Sequence, residues 1–293
     1  MPIFTGSGVA IATPFNDDFT INYNEFKRLI EFQIANGTDA IIVAGTTGEA
    51  STLTDSEQIE LIRFAAETVN KRVPVVAGAG SNETFHCLEL SRGAESAGAD
   101  ALLLVTPYYN KTTPKGLVEH YRTIAGNVNI PIILYNVPSR TGMNVSVKTA
   151  YELSKIDNIT GIKEASGNFT QIAEIAHLCA GRLDIYSGND DQNVPIMSLG
   201  GVGAISVLAN VAPKNTHDML MSFLDGDTRK AAKLQLDAVP LISALFCETS
   251  PIPVKAALNM MGFDVGRCRM PLAEMEEANF GKLKSEMASY GLI

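Results

Sequence analysis

Short aliphatic runs alternate with longer stretches of helical period from the N-terminus to about residue 225. Runs such as Ala40-Ile41-Ile42-Val43 and Ala101-Leu102-Leu103-Leu104-Val105 are continuous rather than alternating. That is the pattern of parallel strands covered on both faces, where neither side of the sheet meets water. The runs predict strands at Gly8–Thr13, Asp39–Ala44, Pro74–Ala79, Asp100–Thr106, Pro131–Asn136, Ile159–Lys163, Leu183–Ser187 and Gly203–Val207. Eight βα units in that length predict an α/β protein of the TIM (β/α)8 barrel class, for which about 250 residues is typical.

The helices between the strands carry local end signals. Thr54 or Asp55, followed by Glu57 or Gln58, predicts a capping box at the second helix, and Asn82 is placed to cap the third. Gly37 and Gly98 fall where the first and third helices must stop, as left-handed caps do. An aspartate and an apolar run follow each of them (Gly37-Thr38-Asp39, Gly98-Ala99-Asp100), a local similarity between units. Beyond Pro213 the strands cease. Asp218–Leu224 completes the last barrel helix, and Thr228–Leu245, Pro253–Met260 and Pro271–Tyr290 predict three more, with an apolar face but no sheet to cover. The chain therefore divides into a barrel over 1–225 and a C-terminal helical appendage over 226–293, packed on the barrel or on another subunit.

With 293 residues, 46% of them hydrophobic, the chain can bury a large core. Its net charge of -9 and scattered basic residues argue against a nucleic-acid partner. Glycines and polar residues interrupt every apolar run before membrane-spanning length, and the N-terminus has no basic-then-apolar leader. A cytoplasmic location and no membrane partner are expected. Cys87, Cys179, Cys247 and Cys268 lack the spacing of a zinc site or redox pair and read as buried thiols. His86, His120, His177 and His217 stand alone on helical segments, so neither a metal site nor a cofactor is expected.

In a (β/α)8 barrel the chemistry lies at the C-terminal ends of the strands, so the residues just after each apolar run are the informative ones. Lys163 ends the sixth strand and shares a face with Ile159 and Gly161, which leaves room beneath it, while Glu164 points the other way with Ile162. A lysine at a strand end is more often a solvated charge than a nucleophile, so its neighbours decide. After strand two, Gly45-Thr46-Thr47-Gly48-Glu49 offers backbone N–H groups and two hydroxyls as a nest for a carboxylate, or simply a tight βα turn with Glu49 near a helix start. After strand four comes Thr106-Pro107-Tyr108-Tyr109-Asn110, and strand five ends in Tyr135-Asn136-Val137-Pro138-Ser139-Arg140-Thr141-Gly142. Tyr135 can exchange a proton at the barrel mouth or merely pack. Arg140 presents a planar fork suited to a substrate carboxylate, or to a neighbouring acid. Ser187-Gly188-Asn189-Asp190-Asp191 follows strand seven, and Gly200-Gly201-Val202-Gly203 precedes strand eight, where packing is the expected role.

Schiff-base formation with a 2-oxo acid is the chemistry that unites a lysine, a tyrosine, paired threonines and an arginine. Only the neutral amine attacks a carbonyl, so the reading calls for apolar surroundings or a nearby cation such as Arg140. The carbanion of an aldol reaction needs either a metal or an iminium to stabilise it. With no histidine cluster, these residues offer the iminium.

The motifs Gly45–Glu49, Tyr108–Asn110, Tyr135–Gly142, Ile162–Gly167 and Ser187–Asp190, in that order and over essentially the full length, resemble those of the dihydrodipicolinate synthase family. The resemblance implies that Lys163 condenses with pyruvate and that the enamine attacks L-aspartate-4-semialdehyde, the committed step toward diaminopimelate and lysine. It implies that Tyr135 is the acid/base residue, linked through Thr47 to a Tyr109 contributed by the neighbouring subunit of a homotetramer built as a dimer of dimers. It also implies that Thr46 and Thr47 hold the pyruvate carboxylate, that Arg140 receives the carboxylate of the semialdehyde, and that backbone groups at Gly188 and Ile205 line the site. N-acetylneuraminate lyase and the 2-keto-3-deoxy sugar acid aldolases are similar around the threonine loop and strand six. Arg140 and the Tyr108-Tyr109 pair suit a small dicarboxylic partner rather than a sugar. A non-catalytic barrel that only binds a 2-oxo acid would not need the proton relay.

One departure from the family matters for regulation. Lysine-inhibited members resemble one another in an interface pocket where histidines of the second helix and a glutamate of the third receive the effector. The matching positions here are Asp55, Gln58 and His86, with Asn82 and Tyr108 retained. The departure predicts weak or absent inhibition by L-lysine, because an anion that would pair with the effector's ammonium is gone.

Overall fold

A computed structural model describes all 293 residues. Eight parallel strands close into a barrel in chain order: β1 (Gly6–Ala10), β2 (Ala40–Val43), β3 (Val75–Gly78), β4 (Ala101–Val105), β5 (Ile132–Asn136), β6 (Ile159–Glu164), β7 (Asp184–Ser187) and β8 (Gly203–Ser206). β8 pairs back onto β1. Every predicted strand forms, and only β1 is displaced. It starts at Gly6, opposite Gly203, and stops at Ala10 rather than Thr13, because Asn210 Oδ1 and not a strand takes the Ala12 N–H (3.0 Å). A side chain on Gly203 would run into the Gly6 carbonyl, so close strand packing accounts for the last glycine of that cluster.

The two-residue period sorts the strands between two cores, with one break in β6, where Thr160 is skipped and Ile159 turns outward instead of sharing the face of Lys163 as expected. Ala40, Ile42, Ala101, Leu103 and Ile133 point into the barrel with Phe4 and Tyr186, whereas Ile41, Val43, Leu102, Leu104 and Ile132 face the surrounding helices. Gly37 and Gly98 end their helices at φ +84° and +95°, in the left-handed region. The aspartate that follows does the same job in both units. Asp39 accepts the Ser7 N–H (2.7 Å) on its carboxylate and returns its own N–H to the Ser7 carbonyl, and Asp100 brackets Val75 likewise (2.9 Å). Thr54 caps helix Asp55–Val69 in a reciprocal box with Glu57. The third helix corrects the expectation: Glu83, not Asn82, caps Thr84–Ser96, accepting the Phe85 and His86 N–H groups at 2.9 and 2.6 Å. A carboxylate gains there from the helix dipole as well as from the bonds. The Asn82 carbonyl meanwhile accepts from Asn110 Nδ2 (2.8 Å).

Helices Thr228–Leu245, Ile252–Met260 and Glu277–Tyr290 follow the last barrel helix, Pro213–Leu224. Thr228–Leu245 packs on both Pro213–Leu224 and Glu277–Tyr290, and Leu241, Val254, Leu283 and Met287 join the core beneath the barrel helices. The final helix begins at Glu277 rather than Pro271, because Glu248 sets its start from a distance by accepting the Glu276 N–H (2.9 Å) and Asn279 Nδ2 (2.8 Å). Cys87, Cys179 and Cys268 are buried, while Cys247 is only partly so. No helix is long and apolar enough to cross a membrane.

Arg269 ties this C-terminal segment to the second helix, gripping Glu57 with two bonds of 2.6 and 2.9 Å. The guanidinium holds the Glu57 carboxyl down at about 2. A depressed carboxyl stabilises the fold at neutral pH and loses that contribution as pH falls from the ordinary carboxylate range toward the folded value. Thermal melts between about pH 5 and pH 2 are therefore expected to show a downward slope that Glu57→Gln makes shallower. Parallel slopes for the two proteins would count against this anchor.

Candidate active site

The C-terminal mouth of the barrel encloses a cavity of about 180 Å³ lined by Thr46, Thr47, Tyr135, Arg140, Lys163 and Gly188, together with apolar residues such as Ala10, Ile42 and Leu103. Lys163 points inward, as the period of β6 requires, and is only 6% exposed. Parallel register sets it beside Tyr135 of β5, and Nζ lies 4.3 Å from the centroid of that ring. No carboxylate pairs with the amine. Glu164, on the other face, is fully buried and accepts the Ser166 N–H (2.9 Å). Burial pushes its carboxyl above the ordinary glutamate range.

Two glycines shape the surroundings of the lysine. Gly161 does not leave an empty space beneath it. A Cβ there would stand 3.2 Å from the Tyr186 ring and 3.5 Å from Ile133, so the missing side chain is what admits the Tyr186 ring. That ring stacks on Phe4 at 4.5 Å and donates its hydroxyl to the Phe4 carbonyl (2.9 Å), forming a rigid floor. At Gly188 a Cβ would come within 3.1 Å of Lys163 Cε and 2.8 Å of Ala165 Cβ, so glycine lets the end of β7 pass alongside the lysine.

Thr46 and Thr47 hang above this floor on the loop after β2, and no acceptor in the chain takes their backbone N–H groups. Unpaired donors on a glycine-flanked turn make an anion nest. Glu49 takes no part in it. Its backbone turns to φ +57° and its carboxylate pairs with Lys255 at 3.0 Å, both side chains being essentially inaccessible. Lys255 also donates to the Arg267 carbonyl (2.8 Å), and Glu49 accepts the Arg269 N–H (2.8 Å). Burial holds the Lys255 ammonium below the ordinary lysine range, against the pull of Glu49. The end of the threonine loop is thus buttoned to the C-terminal segment. Lys255 was missed in the sequence, although a lysine flanked by Val254, Ala256 and Ala257 was a visible signal.

Phe246 and Ser250, also missed, close the cavity from the turn after Thr228–Leu245; only tertiary packing brings them there. One residue expected at the wall is not part of the lining. Ile205 is buried within the inward cluster, and Val207 lines the wall instead. Tyr109 stands outside, 92% exposed, at the tip of a tight turn in which the Asn110 N–H donates to the Tyr108 carbonyl (2.9 Å) and Tyr109 takes φ +68°.

A second cavity of about 390 Å³ adjoins the first and shares Thr46, Tyr135 and Arg140 with it. Asp55, Gln58, His86 and Tyr108 line it, and Asn82 does not. His86 bridges Asp55 (2.9 Å) and Ser81 (3.0 Å), while Gln58 donates to the Gly78 carbonyl (2.7 Å).

Residues 3–289 match the Dihydrodipicolinate synthetase family. The chain belongs to this family. The 4-hydroxy-tetrahydrodipicolinate synthase of Lachnoclostridium phytofermentans is 58% identical over 294 residues, covering the whole of both chains. Among solved structures, the chloride-inhibited dihydrodipicolinate synthase of Acinetobacter baumannii, complexed with pyruvate, is 42% identical with a TM-score of 0.97 over 99% of each chain. The Cyanidioschyzon merolae enzyme with lysine bound is 38% identical with a TM-score of 0.97 over 100% of each chain. As a dihydrodipicolinate synthetase family member the chain is a lyase of the diaminopimelate route to lysine.

Proposed function

We propose that Lys163 is the Schiff-base nucleophile of a 4-hydroxy-tetrahydrodipicolinate synthase that condenses pyruvate with L-aspartate-4-semialdehyde. One observation carries the reading: a buried amine with no carboxylate partner lies against Tyr135, in a cavity whose other walls carry unpaired N–H groups and a guanidinium. Thr46 and Thr47 hold the pyruvate carboxylate in their nest, which aims C2 at Lys163. The amine adds to that carbon, water leaves, and loss of a C3 proton gives the enamine. The enamine C3 then bonds to the aldehyde carbon of the semialdehyde, whose carboxylate Arg140 receives bidentately. The semialdehyde amine finally displaces Lys163 from C2, closing the ring and freeing the enzyme, so one water is released overall. Tyr135 moves the protons, and its path runs through Thr47 to Tyr109 of a neighbouring chain. An exposed tyrosine held at positive φ suits delivery into a partner's site. The assembly is a homotetramer built as a dimer of dimers, and its four unpaired thiols suit the reducing cytoplasm. A sugar substrate is disfavoured, since the small mouth presents the Arg140 guanidinium, which suits the carboxylate of a short partner.

Borohydride reduction in the presence of pyruvate, followed by peptide mass mapping, tests this directly. The adduct is expected on Lys163 and nowhere else. No adduct, or one on another lysine, overturns the mechanism, and supplying N-acetylneuraminate in parallel separates the two aldolase readings.

The same reading places L-lysine as at most a weak inhibitor. Asp55 brings a carboxylate into the second cavity, but His86 already holds it, and Gln58 is committed to the backbone. Initial-rate assays are expected to show little inhibition at millimolar L-lysine, and an inhibition constant from low micromolar to submillimolar refutes the point.

A further inference from the structure

Behind Tyr135 and Lys163, on the outer faces of the same two strands, lies a polar network that the mechanism does not use. Asn136 and Glu164 are register partners one step above the Tyr135–Lys163 pair. Both are buried. Asn136 Nδ2 donates to both carboxylate oxygens of Glu164 (3.0 and 3.1 Å) and to Asn144 Oδ1 (2.9 Å), while Asn136 Oδ1 accepts the Val145 N–H (2.9 Å). Asn144 and Gln171 exchange bonds of 2.7 and 3.1 Å at the edge of the network. A buried carboxylate held only by neutral donors, with no cation on its own face, costs desolvation that an apolar residue would avoid. Its placement therefore calls for a reason beyond packing.

The lower part of the β5–β6 ladder supplies one. Ile132 pairs with Ile159 but Ile133 pairs with Gly161, so the register shifts by the skipped residue Thr160 before the catalytic level is reached. A bulge below the functional end bends the strand and increases its local twist, so it re-aims the side chains above it. Something must fix how far Lys163 stands from Tyr135. The amide–carboxylate bonds span the two strands at the next residue, and Val145 and Ser166 bring in the loops after β5 and β6, the first of which carries Arg140.

We infer that Asn136 and Glu164 form a positioning clamp that sets the Tyr135–Lys163 separation for Schiff-base chemistry. The inference rests on Lys163 being the nucleophile, as proposed above. The clamp has a defined polarity, which makes it testable by reversal. In Glu164→Gln the new amide faces Asn136 Nδ2, and Asn136 cannot turn over because Val145 needs its oxygen. In Asn136→Asp two carboxylates face each other. In the double variant, the amide introduced at position 164 donates to the new carboxylate and still accepts from Ser166, and Asn144 and Gln171 restore their own bonds by flipping together.

Each single variant is expected to lose about 10²-fold in kcat, the scale of a misplaced reacting group, with little change in the KM for pyruvate. The double variant is expected to return to within about tenfold of the parent, because reversed polarity restores the same bonds. The rate of trapping of the pyruvate adduct at Lys163 should follow kcat in each protein, at temperatures where melts show all of them folded. Single variants that match the parent, or a double variant no faster than the slower single one, overturn the clamp. Should the double variant not fold, Asn144→Ala at the exposed edge is the substitute. It is expected to slow trapping about threefold without moving the melting temperature, as loss of one outer bond implies, and an unchanged rate overturns the clamp. If the parent forms no adduct on Lys163, the mechanism itself fails and the clamp with it; an adduct with unaffected variants removes the clamp alone.

Discussion

Replacement of Lys163 by alanine is expected to lower kcat by about four orders of magnitude, the scale of losing a covalent catalytic group. The remaining groups of the cavity bind and polarise, but none of them can form the bond to C2 of pyruvate. Lys163→Arg keeps a long cation in the same place and supplies no competent nucleophile, so it is expected to be as inactive as the alanine variant. Because no carboxylate depends on Lys163 for its charge balance, both variants should melt close to the parent. A steady-state assay with both substrates, paired with melts of the same preparations, provides the measurement. An arginine variant that keeps more than about a tenth of the parent kcat would remove the covalent mechanism.

The second large effect falls on stability. Lys255→Met leaves the Glu49 carboxylate, whose side chain is 0% exposed, without its charge partner. Removing one member of a buried pair costs about 3–5 kcal/mol, because the surviving charge keeps its desolvation penalty and loses the attraction that offset it. For a chain of this size that lowers the melting temperature by roughly 5–10 °C. Glu49→Gln combined with Lys255→Met removes both charges, yet keeps an acceptor for the Arg269 N–H, and is expected to recover more than half of the loss. Since Glu49 ends the loop that carries Thr46 and Thr47, the single variant should also raise the KM for pyruvate. Equal melting temperatures for parent and Lys255→Met would show that the pair contributes nothing net.

The strands were legible because a parallel strand is covered on both faces, so its residues are apolar on both and form an unbroken run. Lys163, Tyr135 and their inward faces followed from a period of two counted at the C-terminal strand ends, whereas Ile159 faces outward because the register skips Thr160, which nothing local announces. Capping was less secure, because several polar residues near a helix start can all reach its free N–H groups. Thr54 won its contest locally, whereas Asn82 lost to Glu83, whose longer carboxylate reaches two amides. The start of the last helix was not written locally at all, since Glu248 supplies the acceptor from another segment.

Local sequence was enough for the eight-stranded barrel, the inward direction of Lys163 and Tyr135, the threonine loop between flanking glycines, and the Gly-X-Asp brackets. All of these depend on period or on neighbours within a few residues, which a linear reading can see. Long-range packing alone settles that Tyr186 fills the floor beneath Lys163, that Glu49 pairs with Lys255, that Phe246 closes the mouth, and that Asn136 spans to Glu164. Those contacts join segments far apart in the chain. Their partners are chosen by which surfaces meet on burial, and a buried charge or amide carries no sign in the sequence of which distant group will satisfy it.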